Sequence, residues 1–257
     1  MSTDGNLDYA LTRVLARFGE RLDEADWRRL EANRDLGLYL AAVRSTAMAD
    51  WVGGFDAEQH DCHTFEAALR TRWRSYVEAV AIWHPQEWQA WLAWLAWLPT
   101  LSLLAQLARP DPAPIWMLAD TVYGRIAPGP PAERVAVLSR TALAPLAAAL
   151  TGHSSVGAAW SAHWQTLKPR ADARTEQSLE LMLLAMRQHQ QQLLRAADSA
   201  DAPRGELANR LQNLLRLAAG TVIVTVCHLA LLELDLERLR GGLARRRLFG
   251  DARAEHP

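Results

Sequence analysis

Apolar residues recur at steps of three and four along most of the chain, which is the period of an amphipathic helix. The first predicted helix carries charged residues between its apolar positions, which are Leu7, Leu11, Val14, Leu15, Phe18 and Leu22. Asp23 follows as a candidate N-cap for a second helix. The same spacing predicts helices over about 26–48, 64–84, 132–150, 156–167, 173–197 and 206–247, with another beginning just after Pro85.

The residue types favour helices over strands. Leu, Ala, Arg, Glu and Gln dominate, and β-branched residues are sparse outside the short run Thr221 to Val226. The sequence therefore predicts an all-α fold. With 257 residues, half of them apolar, the chain is long enough to bury a sizeable core.

Glycine, proline and polar residues divide the predicted helices. Gly53-Gly54 predicts a turn, Gly241-Gly242 predicts a helix end, and the polar stretch 198–205 predicts a linker. Residues 109–131 contain six of the twelve prolines, which predicts turns and short helices. We therefore expect an N-terminal helical unit over 1–109, a proline-rich connection over 110–131 and a C-terminal helical unit over 132–257.

The longest uncharged stretch, Trp88 to Ala108, has 21 residues and is close to the length that spans a bilayer. Its tryptophans are three positions apart and cover about half of a helix circumference; they are Trp88, Trp91, Trp94 and Trp97. They lie in the middle of the stretch rather than at its ends, where an interfacial aromatic belt would place them. We therefore expect two packed helices here, with a membrane span as the alternative.

Charge and cysteine content exclude several classes of protein. The formal net charge is -1, which gives no indication of a nucleic-acid partner. Cys62 and Cys227 are 165 positions apart, so the sequence offers neither a disulfide framework nor a four-cysteine zinc site. The N-terminal segment lacks the order of a secretory signal, and we expect a reducing, cytoplasmic environment.

Few residues in the sequence suggest a catalytic or metal-binding role. His60-Asp61-Cys62-His63 is the densest group of metal-capable side chains, but four adjacent residues cannot all reach one ion without a ligand from elsewhere. Ser161 and His163 lack the GxSxG context of a hydrolase nucleophile, and the glycines form no phosphate-binding pattern. We therefore predict no catalytic, cofactor-binding or metal-binding residue. A metal-dependent enzyme built around His60 to His63 stays as an alternative.

The C-terminal segment combines a leucine seam with a group of arginines. The seam has the 3-4 spacing that requires a facing helix, and its residues are Leu229, Leu232, Leu236, Leu239 and Leu243. Arg245, Arg246 and Arg247 could bind lipid phosphates or an acidic partner, or only complement the helix dipole. We predict that the seam packs inside, whereas Arg240 and Arg245 to Arg247 project toward solvent or a partner.

The order of these features resembles the C/d family of rotor subunits in A-type and V-type ATPases. The resemblance covers nearly the whole chain and is strongest at its two ends. It rests on arrangement rather than on one sharp motif, and it departs from the family pattern at Pro99-Thr100, where an acidic residue is usual. The segments that carry it are Tyr9 with Ala16-Arg17, Leu36 to Thr46, Glu66 to Leu69, Leu98 to Arg109, Asp235 to Arg240, and Leu243 to Arg247.

The resemblance implies a multi-helix bundle built of related helical units, of which residues 112–205 leave room for one reduced unit. It also implies a rotor adaptor without catalytic residues or cofactors. The partners would be the membrane proteolipid ring and the central stalk, with peripheral attachment at the cytoplasmic face of the cell membrane and a role in proton or sodium transport. The alternative is a helical assembly or regulatory protein of the cytoplasm.

Overall fold

The computed structural model describes residues 3–109, 111–152, 154–195 and 201–249. These ranges contain helices and their connections and no strand, so the prediction of an all-α fold is confirmed. Short 3₁₀ helices cover Trp94–Thr100, Tyr123–Arg125 and Ala144–Thr151. The α-helices are α1 (Thr3–Gly19), α2 (Glu24–Ala32), α3 (Leu36–Arg44), α4 (Ala49–Val52), α5 (Cys62–Ile82), α6 (Gln86–Ala93), α7 (Leu101–Leu107), α8 (Ile115–Ala119), α9 (Pro131–Leu138), α10 (Val156–Leu167), α11 (Ala173–Arg195), α12 (Asp201–Leu217) and α13 (Ile223–Phe249).

The chain divides into two compact units that differ from the predicted division. The first comprises Met1–Arg72, Ile82–Pro85 and Arg170–Pro257, and the second comprises Trp73–Ala81 and Gln86–Pro169. The proline-rich stretch 110–131 therefore lies inside the second unit and is not a connection between two units. The physical reason is that α1 packs against α13, so helices from the two ends of the chain share one core.

In the first unit, α13 supplies the central apolar surface. Leu229, Leu236, Leu239 and Leu243 are at most 1% exposed, and Leu232 is half-buried, so the predicted seam does face the interior. The helix also packs against α11 and α12, which precede it in the chain. The region 206–247, predicted as one long helix or a helix pair, forms two helices; α12 begins at Asp201, inside the expected linker, and residues 196–200 lie outside the described ranges.

The predicted helix end at Gly241-Gly242 is wrong, because α13 continues through both residues to Phe249. A Cβ atom at Gly242 would lie 2.5 Å from the hydroxyl oxygen of Tyr39. Glycine at this position therefore lets Tyr39 of α3 approach the helix backbone, which is a packing role and not a capping one.

The segment predicted as one helix over 26–48 is two helices. Asp23 caps α2 by accepting from the Asp26 N–H, as expected, and the two residues form a reciprocal capping box. Asp35 then starts α3 by accepting from the Leu38 N–H. Asp35 lies within the run of helically spaced apolar residues, so the spacing alone did not show that one helix ends and another begins there.

In the second unit, the Trp-rich stretch forms α6, the 3₁₀ helix Trp94–Thr100 and α7 in succession rather than two helices packed on each other. Pro99 lies within the 3₁₀ turn, where it cannot donate a backbone hydrogen bond. Among the described residues, Gln86–Leu107 is long and apolar enough to cross a membrane by length and composition alone. Trp91 and Leu92 are fully buried in this unit, although less than half of the apolar segment is buried.

Candidate functional site

The four arginines predicted to face solvent or a partner lie in the second half of α13 and differ sharply in environment. Arg245 is exposed, Arg247 is half-buried and Arg246 is buried. The Arg240 side chain is only 17% exposed. The structure therefore leaves Arg245 and Arg247 accessible, and their role as partner contacts stays a prediction.

The expectation that Arg246 projects into solvent is wrong. Its Nε donates to the carbonyl of Asn33 at 2.7 Å, and its two Nη atoms donate to the carbonyls of Gly242 at 2.8 Å and Glu31 at 2.9 Å. Its guanidinium carbon lies 3.8 Å from the ring centre of Tyr39. Arg246 follows Gly242 by four positions, so the helical period places it on the same buried face.

This arrangement predicts opposite outcomes for two neighbouring arginines. We expect Arg246→Gln to lower the free energy of unfolding by roughly 2–3 kcal/mol, because three backbone carbonyls lose a charged donor. Arg245→Gln is the matched control and should change it by less than about 0.5 kcal/mol, as usual for an exposed site. Urea unfolding of both variants measures the difference, and equal stabilities would contradict the burial of Arg246.

The side chain of Arg240 also forms ion pairs within the fold. Its Nε lies 3.0 Å from Oε2 of Glu66 in α5, and its Nη1 donates to Oε1 of Glu233 at 2.7 Å. The prediction that Arg240 projects toward solvent is therefore wrong. Its position beside a buried seam leaves the side chain close to carboxylates of its own unit, and no local pattern in the sequence indicates which acids these are.

Two further arginines, Arg21 and Arg238, form ion pairs that join the N-terminal segment to α13. Arg21 binds Asp235 through both ends of the guanidinium, with Nε to Oδ2 at 2.5 Å and Nη2 to Oδ1 at 2.8 Å. Arg238 binds Glu31 at 2.6 and 2.8 Å and Glu24 at 2.7 and 3.1 Å. Such two-point contacts fix direction as well as distance. We call the whole group the α13 ion-pair cluster; its members are Arg21, Glu24, Glu31, Glu66, Glu233, Asp235, Arg238 and Arg240.

Protonation within the α13 ion-pair cluster depends on burial. Burial raises the pKa of Asp235, and the hydrogen bond from Arg21 opposes this rise. Burial also raises the pKa of Glu233 to about 7, with Arg240 opposing the shift and the negative charges of Glu237 and Glu66 adding to it. Oε2 of Glu233 has no hydrogen-bond partner among the described residues. The Glu233 carboxyl therefore keeps its proton to a higher pH in the folded chain than in the unfolded chain.

We expect this proton to make stability depend on pH. Between about pH 4.5 and 7 the Glu233 carboxyl is protonated when folded and ionised when unfolded, so its contribution to stability is complete below this window and is lost as pH rises to 7. The slope is at most about 1.4 kcal/mol per pH unit for one proton. Burial lowers the pKa of His228 to about 4, which gives the opposite slope between about 4 and 6.5.

Comparison with Glu233→Gln separates the two contributions, since the variant keeps His228. Thermal unfolding between pH 5 and 8 should show that the wild type loses more stability than the variant as pH rises. Parallel curves for the two proteins would show that Glu233 does not carry the proton.

The side chains considered for catalysis or metal binding make local hydrogen bonds and packing contacts. Asp61 accepts from the backbone and the hydroxyl of Thr64 at the start of α5, and Nδ1 of His60 accepts from the Asp56 N–H. His163 packs edge-on against Trp94, with ring centres 4.5 Å apart. Within the described residues, no three His, Cys, Asp or Glu side chains converge as metal ligands.

Comparisons with known proteins add no further constraint. No model of a protein family, no curated protein and no solved structure matches this chain. The candidate site is therefore defined by geometry alone: a cluster of ion pairs, of which Arg21–Asp235 and Arg240–Glu233 are largely buried, beside an exposed basic helix terminus.

Proposed function

We propose that the chain is a non-catalytic adaptor in the rotor of a V-type or A-type ATPase. In this role it links the membrane proteolipid ring to the central stalk and supports ATP-driven transport of protons or sodium ions. The chemistry of ATP and of the ion would belong to partner subunits. The chain would be a peripheral protein at the cytoplasmic face of the cell membrane.

One observation carries the proposal beyond the resemblance. The segments at the two ends of the chain that resemble the C/d family lie in the same compact unit, where the α13 ion-pair cluster joins them. Arg21 lies just after Ala16-Arg17, and Asp235 begins one of the two C-terminal segments that carry the resemblance. Their contact spans 214 positions of sequence.

The same cluster suits a part that transmits force. Removing one member of a buried ion pair leaves an uncompensated charge, which costs about 3–5 kcal/mol. Sliding α13 along its neighbours would separate the largely buried Arg21–Asp235 pair together with the more exposed contacts of Arg238 with Glu24 and Glu31. These contacts would oppose shear along α13, which supports a place for the chain between a turning ring and a stalk.

Affinity purification tests the proposal. A tagged chain, isolated from detergent-solubilised membranes of cells that express it, should bring down a proteolipid and the central-stalk subunits of a rotary ATPase. High-salt or alkaline washing should release it from membranes, and retention after alkaline washing with no proteolipid partner present would show that the Trp-rich stretch inserts into the bilayer. Recovery of only unrelated proteins would favour a helical assembly or regulatory protein instead, and metal bound in stoichiometric amount would favour an enzyme.

A further inference from the structure

The last turn of α13 exposes two adjacent large apolar side chains. Leu248 is 63% exposed and Phe249 is 66% exposed, directly after the three consecutive arginines. Exposed apolar residues occur singly on most proteins, but an adjacent aliphatic and aromatic pair beside cations is the composition of an interfacial segment.

The cations around this pair lack carboxylate partners among the described residues. Arg245 is exposed and Arg247 donates only to the carbonyl of Ala57. We call this group the C-terminal tip; it comprises Arg245, Arg247, Leu248 and Phe249.

Asp35 lies two residues after Asn33, whose carbonyl binds Arg246, and Asp56 adjoins Ala57, whose carbonyl binds Arg247; both carboxylates hydrogen-bond to backbone N–H groups rather than to an arginine of the C-terminal tip. Asp35 accepts from the Leu38 N–H at the start of α3, and Asp56 accepts from the N–H groups of Glu58 and Gln59. Among the described residues, no carboxylate is paired with the guanidinium group of Arg245 or Arg247, so both groups can bind an external anion.

We propose that the C-terminal tip binds the surface of a bilayer that contains anionic phospholipid. Guanidinium groups bind phosphate oxygens at two points, while leucine and phenylalanine enter the boundary between headgroups and acyl chains. A protein partner would have to supply carboxylates and an apolar pocket in one fixed arrangement. A lipid surface offers both phosphate and hydrocarbon at every position, which suits side chains at a helix end.

The expected binding is modest and sensitive to salt. Each arginine near an anionic surface contributes about a fivefold gain in affinity. Exposed charges are screened over about 8–10 Å at physiological ionic strength, so raising the salt concentration should release the chain. The inference does not rest on the rotor proposal, because it concerns contact with lipid alone.

Vesicle sedimentation with the purified full chain tests the inference. Wild-type chain should sediment with phosphatidylcholine vesicles containing about a third phosphatidylglycerol at low salt and remain in solution with phosphatidylcholine alone. Arg245→Gln should weaken binding about fivefold. The double variant Leu248→Ser with Phe249→Ser should weaken it further, since both apolar groups are lost.

A matched control comes from the end of α12. Leu217 is 68% exposed there and follows the exposed Arg216, so Arg216→Gln with Leu217→Ser removes the same kinds of group outside the tip. This control should bind as the wild type does, and thermal unfolding should show that all variants fold.

Three results would overturn the inference: tip variants that bind like the wild type, a control that loses equal affinity, or equal binding to neutral vesicles. Loss of copurifying proteins by the tip variants, without any vesicle binding by the wild type, would assign the tip to an acidic protein surface instead. Affinity purification in detergent tests the rotor proposal separately, so the two can fail independently.

Discussion

Trp91→Ala is expected to lower the free energy of unfolding by about 3–5 kcal/mol, the range found when a buried aromatic ring is deleted from a core. Trp91 is fully buried and stacks on Trp164, with ring centres 4.7 Å apart and planes 10° from parallel. The Trp164 indole N–H donates to the Trp91 carbonyl at 3.1 Å. The Trp91 indole N–H itself has no partner among the described residues, so the expected loss arises from packing.

The neighbouring tryptophans explain why the cavity cannot close. Trp94 and Trp160 each donate an indole N–H to the other's carbonyl, at 3.2 and 3.4 Å. Trp160 stacks in turn on Trp164. These fixed contacts hold the surrounding rings in place when one ring is removed, so a void remains.

Trp97→Ala is the matched control in the same stretch. Trp97 is half-buried and lies 4.0 Å from the guanidinium of Arg74, a contact worth about 0.5–1 kcal/mol at an exposed site. Urea unfolding should therefore show less than half of the Trp91→Ala effect. Equal effects, or a Trp91→Ala variant that unfolds like the wild type, would show that Trp91 is not a core residue.

Asp235→Ala is expected to destabilise the chain by a similar amount, about 3–5 kcal/mol, because it leaves the Arg21 charge beside a buried surface without a partner. The Asp235 side chain is 6% exposed and that of Arg21 is 18% exposed, so water cannot replace the lost carboxylate fully. The double variant Arg21→Met with Asp235→Leu should recover much of the loss, since apolar residues can substitute for a buried pair.

The exposed pair between Arg17 and Glu20 is the control for Asp235→Ala. Its side chains are 53% and 57% exposed, and its N–O distance is 3.2 Å. Arg17→Gln should cost less than about 1 kcal/mol, as surface ion pairs generally do. Chemical unfolding of the wild type and these three variants measures both differences, and a small Asp235→Ala effect would remove the basis for a stiff joint between the chain ends.

The sequence predicts local structure well where the burial of one apolar face of a helix determines that structure. The leucine seam of α13 is an example, because its spacing alone requires a buried face. Gly242 shows the limit: a glycine usually indicates a helix end, but here it makes room for Tyr39, which belongs to a helix near the other end of the chain. Close approach between distant segments has no local signature.

The same limit applies to the candidate site. The run Arg245 to Arg247 suggests a basic surface, and only the helical phase shows that Arg246 turns inward while Arg245 stays outside. Arg21 and Asp235 are ordinary charged residues in amphipathic patterns, and nothing near either one indicates the other. Their pairing depends on how α1 packs against α13, which the spacing of apolar residues does not determine.

Coupled transport in inside-out membrane vesicles tests the central claim most directly. Vesicles from cells that lack the chain should still hydrolyse ATP at the catalytic head but should take up no protons or sodium ions. Restoring the wild-type chain should restore uptake, and Asp235→Ala should restore less of it than Arg17→Gln does. Undiminished ion uptake per ATP hydrolysed in the absence of the chain would contradict the proposal that it links ring and stalk.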